Sequence, residues 1–275
     1  MAAGGEATTP RGAGADCGGE PVMLEEIHSG RVRSGVRVAV ETLVASSQKF
    51  LVSEAKSGSC LWGAMAAHPS RVGAGSGLFV VSFGARHAEG AACQPGTDGL
   101  PDDLAPGDEL DIEGTLDEFV PAACDGVAPA LQLRVDPRCA ARRGGRVDAP
   151  ASALLDAATA DAIATGRSAE LLRGWAGALV RLEGVSATRD DDDGDAVLPF
   201  GVMRLEQTSL ELHSRIYYFD LSGGGPRSPE KAPRFTYPAS FASVSGHVFL
   251  DYCTWALGPR STCSDFSPPG PGCAK

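Results

Sequence analysis

Residues 104–119 read LAPGDELDIEGTLDEF, and their alternation constrains the fold more than any other feature of the chain. Successive side chains of a strand point to opposite faces. Leu110, Ile112, Gly114 and Leu116 therefore share one side, while Glu109, Asp111, Glu113, Thr115 and Asp117 share the other. Such a segment is a strand with a buried face and an acidic solvent face. Gly107 and Asp108 make the turn into it. Gly114 marks a place where the strand bends or another backbone comes close.

The same period of two recurs along the chain. Val36, Val38 and Val40 alternate with Arg37, Ala39 and Glu41, and Leu131, Leu133 and Val135 with Gln132 and Arg134. Apolar runs at 50–52 (FLV) and 78–81 (LFVV) supply two more strands, the second more fully buried. Between 150 and 175 the texture changes. Leu154, Leu155, Ala158, Ile163, Leu171 and Leu172 recur at near-helical spacing, with Ser152 and Ser168 as caps and Gly166 as the break. Strands return at 179–188, where the inward phase shifts across Gly184 and predicts a bulge or sharp bend. Others follow at 200–205, 210–219, 241–250 and 255–257. Five strands, a helical connector and five strands predict an all-β chain with a duplicated five-stranded barrel. The expected limits are a lead-in at 1–21, a first domain at 22–138, a linker with short helices at 139–172, a second domain at 173–266 and a tail at 267–275.

Charge and cysteine content bound the environment. Asp and Glu number 35 against 24 Lys and Arg, a formal net charge of -11. An acidic balance of that size repels phosphate backbones and anionic lipid surfaces. The chain has 8 cysteines, in no C-x-x-C pair and with no His at ligand spacing. Zinc and dithiol sites need such spacings, so disulfides in an oxidising compartment are the better reading. Eight cysteines allow about 105 pairings. On locality alone the expected pairs are Cys60–Cys93, Cys124–Cys139 and Cys253–Cys263, which leaves Cys17 and Cys273 in the tails. No run approaches the roughly 20 apolar residues of a membrane-spanning helix. Residues 1–5 (MAAGG) have neither a basic nor an apolar signal region. The expectation is that an export signal has been removed from this chain, with Met1 added, and that any lipid anchor of the native protein went with it.

Candidate chemistry is sparse. His28, His68, His87, His213 and His247 stand apart, with no H-x-x-H or H-E-x-x-H pair, and there is no G-x-S-x-G elbow. The GAGSG stretch at 73–77 precedes a strand and not a helix, unlike a dinucleotide loop. The acidic run DDDDGD at 190–195 fails the EF-hand register, with Arg189 at position one and no Glu at position twelve, and reads as a solvated hairpin turn. Arg134, Arg138, Arg142, Arg143 and Arg146 form a basic cluster, read as a solvated linker in preference to a phosphate contact. If 210–219 is one strand, His213, Arg215, Tyr217 and Phe219 fall together on the face opposite Leu212 and Ile216. They form the candidate ligand patch, set against the alternative that this face packs on the other half. No metal and no cofactor is expected.

Several segments, in order, resemble a known module. GVRVAVETLV (35–44), FLVSEA (50–55), GLFVVSF (77–83), the stretch at 104–119 and LQLRV (131–135) are similar to an OB-fold domain of bacterial extracellular nucleases and of secreted or lipid-anchored surface proteins. The pattern L-x-x-G-D-x-V-x-V-x-G-T-V-x-E-F keeps Gly107, Asp108, Gly114, Thr115, Glu118 and Phe119 here. WAGALVRLEGV (175–185), Ile216 to Tyr218, WALGPRS (255–261) and Asp265 resemble a companion OB-like domain. The resemblance implies two OB-like five-stranded barrels in tandem joined by a short helical linker. In the nucleases the catalytic domain is a separate unit, and nothing here corresponds to it. The expected function is a non-catalytic exported binding or structural module of the bacterial cell envelope or extracellular space, with an unidentified partner there. The alternatives are a single-stranded nucleic-acid binder accessory to a nuclease, which the acidic face of 104–119 opposes, and a hydrolase without a recognisable motif.

Overall fold

The structure, a computed structural model, describes residues 18–54, 59–84, 93–137, 139, 142–189, 202–218, 235, 238–270 and 273. The chain is mostly β, in one eight-stranded and one seven-stranded sheet. The first sheet follows β1 (Glu20–Pro21) and the short helix α1 (Leu24–His28). It then runs through β2 (Arg37–Ala45), β3 (Phe50–Glu54), β4 (Cys60–Ala67), β5 (Gly77–Phe83), β6 (Asp108–Phe119), β7 (Ala130–Val135) and β8 (Arg142–Arg146). β9 (Ala153–Leu154), α2 (Ala157–Ala164) and α3 (Ala169–Trp175) lead into the second. That sheet holds β10 (Leu179–Arg189), β11 (Val202–Leu205), β12 (Thr208–His213), the short α4 (Arg215–Tyr218), β13 (Ala239–Asp251), β14 (Thr254–Gly258) and β15 (Phe266–Ser267).

Both sheets use one plan. β2 pairs antiparallel with β4 and with β6, β4 with β5, and β6 with β7, while β5 and β7 run parallel. The ladders thus run β2-β4-β5-β7-β6 and return to β2. In the second sheet β10 pairs with β11 and β13, β11 with β12 and β13 with β14, all antiparallel, and β12–β14 is parallel. The circuit β10-β11-β12-β14-β13 returns to β10 in the same order, with its parallel pair in the same place.

β6 behaves as its alternation predicts: Leu110, Ile112, Gly114 and Leu116 are buried. A Cβ on Gly114 would meet the Arg134 carbonyl oxygen at 2.5 Å, so the close backbone approach admits only glycine. The acidic face is half-buried, not open. β8 pairs antiparallel beside β6 in the same sheet, with Asp108 opposite Arg146 and Asp111 opposite Arg142. Arg146 Nε is 3.5 Å from Asp108, Arg134 Nη1 is 3.9 Å from Asp117, and Glu109 accepts from the Gly145 N–H at 2.8 Å. The basic cluster, expected to be a solvated linker, is therefore in part an edge strand, with Arg146 beside Asp108 and, on β7, Arg134 beside Asp117; Arg138 lies outside the described residues.

Helices α2 and α3 fall where the near-helical spacing put them. Ser168 caps α3 by accepting from the Leu171 N–H; α2 is capped by Asp156, not Ser152. Gly184 takes a left-handed φ of 61°, but the β10–β13 register is the same on both sides of it, so the expected bulge is absent there.

The two sheets share one apolar core cluster. At the joint Gly77 and Gly177 come so close that a Cβ on Gly77 would meet Gly177 backbone at 2.1 Å. His28 sits between the Arg173 and Gly77 carbonyls (2.6 and 2.7 Å) and His247 between those of Gly177 and Ser46 (2.9 and 3.3 Å). Arg260 donates to Ser46 O, Gln48 to Arg260 O, and Trp255 Nε1 to Ala128 O. Burial lowers the pKa of His28; burial, aided by the Arg260 charge, lowers that of His247 to about 4.

Cys60–Cys93 forms as expected. The other two local pairs do not: Cys124 bonds Cys253, and Cys263 bonds Cys273. Each of these two pairs has a single strand between its cysteines, and a single strand carries its two ends apart, whereas an antiparallel pair, as between Cys60 and Cys93, brings the chain back. β7 moves the chain roughly 20 Å between Cys124 and Cys139, at about 3.3 Å per residue, and β14 does the same between Cys253 and Cys263. Cys124 and Cys253, 129 residues apart, have Cα atoms 5.1 Å apart and tie the two sheets together. Cys139 is disulfide-bonded as well; Cys17 lies outside the described residues. The three described bridges fit an oxidising extracellular environment. Among the described residues no helix is long and apolar enough to cross a membrane.

Candidate functional site

β5 is apolar on both faces. Leu78 and Val80 point into the core of the first sheet, while Phe79, Val81 and Phe83 point outward. An outward row of that size must be covered, and the second sheet covers part of it. Phe50, Met65, Phe79 and Val81 pack against Ile216, Phe249 and Ala256 as a second, smaller apolar cluster, with Phe50 and Phe79 stacked at 6.1 Å. Small residues on β4 permit this approach. A Cβ on Gly63 would meet Val52 and Phe79 side-chain atoms at 2.6 and 2.7 Å.

Where the cover ends, a cavity of about 330 Å³ opens between the sheets. β3 and β4 contribute Val52, Ser53 and Leu61, and β5 contributes Phe79 and Phe83. Asp117 and Phe119 come from β6, with Ala130, Gln132 and Arg134 from β7. The second sheet closes the far side with Arg215, Phe249, Leu250, Asp251 and Tyr252. The walls are aromatic and aliphatic, and the polar groups are few. That is the composition of a small-molecule site, where apolar surface gives affinity and a few placed polar groups give orientation.

Among the described residues, four charges stand at the edge in two pairs. Asp117 and Arg134 approach to 3.9 Å. Asp251 Oδ1 accepts from Arg215 Nε at 2.6 Å, and Arg215 Nη1 donates across the joint to the Val52 carbonyl at 2.9 Å. Behind this pair His213 holds Asp251 Oδ2 at 2.9 Å and Glu211 Oε2 at 3.1 Å. Burial pulls the His213 pKa down, but its bonds to the two carboxylates outweigh burial and raise it above the ordinary value. Burial pushes the Asp251 carboxyl up, yet His213 and Arg215 together hold it below the usual range; the bond from His213 does the same for Glu211.

The sequence-derived patch is thus partly assembled and partly dismantled. The chain does not continue as a strand to 219: β12 stops at His213 and α4 follows. The alternation that set His213, Arg215, Tyr217 and Phe219 on one exposed face ends with the strand. His213 and Tyr217 are buried, Arg215 reaches the cavity edge, and Phe219 lies outside the described residues, as does the acidic run at 190–195. Sequence reasoning missed Phe79, Phe83, Gln132 and Tyr252. For Phe79 and Phe83 the signal was present, since a strand apolar on both faces needs two covers. Gln132 and Tyr252 carry none.

A second polar cluster lies apart from the cavity. Lys49 is buried, with its ammonium on Asp98 (2.6 Å), Asp102 (2.5 Å) and the Leu100 carbonyl (3.1 Å), and 5.0 Å from the centre of the Trp62 ring. All three of its N–H donors are used, which marks a structural anchor for the loop from Cys93 to Leu104. Among the described residues no group of His, Cys, Asp and Glu is arranged to hold a metal ion. No protein-family model, curated protein or solved structure matches the chain.

Proposed function

We propose that this chain is a non-catalytic, exported binding module made of two OB-like five-stranded barrels in tandem, and that the cavity between them is its ligand site. The strand circuit supports the barrel reading. Each half closes in the order first, second, third, fifth, fourth, with the third and fifth strands parallel, which is the connectivity of an OB barrel. The disulfides support the exported reading. The observation that carries the binding reading is the cavity itself: its walls come from both halves, and those halves are fixed by a disulfide, backbone contacts and a shared core. A preformed pocket of this kind binds without the entropic cost of assembling its walls. The charged groups beside it are already engaged, Asp251 by Arg215 and His213, and His213 by two carboxylates. That arrangement suits holding a shape more than moving a proton.

A second reading has one observation in its favour. Exposed Phe83 and Phe119 stand near Arg134 and Arg215, and single-stranded nucleic acid stacks on such rings. Both arginines face carboxylates, however, and the chain is strongly acidic. Ligand-observed NMR against a fragment library, run on the protein and on Ala130→Trp, decides between them. Fragments whose signals disappear when tryptophan fills the cavity support the pocket. Binding of oligothymidylate that falls steeply with salt, with no fragment sensitive to Ala130→Trp, would replace the first reading with the second.

A further inference from the structure

Resting on the cavity as the ligand site, we propose that its ligand is an uncharged, flat aromatic small molecule with an amide-like edge, which Gln132 recognises. Three observations define that chemistry.

The first is the gathering of exposed rings at one mouth. Phe83 and Phe119 are each 46% exposed and Tyr252 is 68% exposed, and all three line the same cavity. Exposed rings scattered over a surface need no explanation; rings collected round a pocket mark a contact site. Tyr252 is also placed at a conformational disadvantage. It is the first residue of the two-residue turn between β13 and β14, at φ 57°, where glycine or asparagine is usual. The next residue, Cys253, fastens the turn to Cys124 of the other half. A strained residue held in place by its surroundings is characteristic of binding sites, and here the strain presents a phenol ring at the cavity.

The second is Gln132. It is 7% exposed, lies on the cavity side of β7 between Ala130 and Arg134, and among the described residues nothing bonds its carboxamide. A carboxamide offers one acceptor and two donor hydrogens, and this one opens onto the cavity with none of them taken by a described residue. A ligand edge that carries a donor beside an acceptor matches that carboxamide.

The third is charge. Among the described residues the edge holds two carboxylates and two guanidinium groups, paired as Asp117–Arg134 and Asp251–Arg215. The pairs cancel, so an ionic ligand gains no net field and loses its hydration.

Isothermal titration with 2-naphthamide, 2-naphthoate and 2-isopropylnaphthalene tests the inference. The amide is expected to bind about tenfold more tightly than either isostere, the scale of one hydrogen bond in a buried site. Gln132→Leu removes that preference with the thermal midpoint unchanged, and Tyr252→Gly weakens all three probes. Naphthoate binding as tightly as the amide, or an amide preference that survives Gln132→Leu, overturns the ligand class. Ala130→Trp separates this failure from failure of the site, with Ser53→Trp at the rim as a second filling variant should the first not fold. If the filling variant blocks the probes but the amide is not preferred, the ligand class alone is wrong. If the probes bind the filled protein unchanged, the site is wrong and the ligand class falls with it.

Discussion

Lys49 shows what a single buried side chain can impose. Its ammonium and the Asp98 carboxylate are both out of water, so removing one strands the other. Lys49→Met should cost about 3–5 kcal/mol, read as a drop in urea midpoint, and Asp98→Asn added to it should recover part of the loss. A single-variant cost under about 1 kcal/mol would show that water reaches the cluster. The histidines make a second prediction. His247 is neutral in the fold, its pKa lowered from 6.5 to about 4. The unfolded chain takes a proton below its ordinary pKa and the folded chain does not, so stability falls between about pH 6.5 and pH 4. One group shifted this far accounts for about 3 kcal/mol. His28, also lowered, adds in the same direction. His213 is raised, so its contribution is complete below pH 6.5 and is lost only on the alkaline side. Denaturant titrations at pH 7 and pH 4.5 should show the loss, and His247→Gln should flatten it. Neither Lys49 nor His247 was legible in the sequence, because a lone Lys or His discloses no partner 50 or 200 residues away.

At the scale of elements, legibility followed periodicity. β6 and β7 alternate cleanly and were read. β4, CLWGAMAA, was missed because both of its faces are covered and its residues are small, so neither alternation nor β-propensity betrays it. β12 was overextended because the apolar spacing of Leu210, Leu212 and Ile216 also suits a strand that turns into a helix after His213. β8 reads as a linker in the sequence because arginines look solvated until their paired strand is known. The shared face assigned to 213–219 lapses with the same overextension, since alternation has no meaning past the end of a strand. One element-scale requirement was visible in advance: the glycine in β6. Gly114→Ala would place a methyl 2.5 Å from the Arg134 carbonyl and force β6 away from β7. The expected cost is about 1–3 kcal/mol or more, checked by thermal melting, and the amides of 114–116 and 133–135 should lose hydrogen-exchange protection first. A neutral substitution would mean that the two strands already sit further apart.

Across the whole molecule, the decisive question is whether two halves built on one plan behave as one body. Sequence reasoning separated them by a linker, as texture alone suggests, and could not see the joint. The joint depends on residues that mean little locally: two glycines, two histidines lodged between backbone carbonyls, and cysteines 129 positions apart. Because a shared apolar core runs through both halves, unfolding one exposes core surface of the other, and the chain should melt in a single transition. Replacing Cys124 and Cys253 by alanine tests this directly. Closing a loop of that length restricts the unfolded chain by about 5 kcal/mol in the chain-entropy estimate, so the variant should melt at a lower temperature. Calorimetry should still give one transition, with the van't Hoff enthalpy equal to the calorimetric enthalpy. Two transitions would show that the disulfide, and not the core, unites the halves. The cavity would then lie across a hinge, and Tyr252, released from Cys124, would no longer be held at its mouth. The same variant should therefore bind any cavity ligand with less affinity if the bridge preorganises the site, and with equal affinity if the shared core alone suffices.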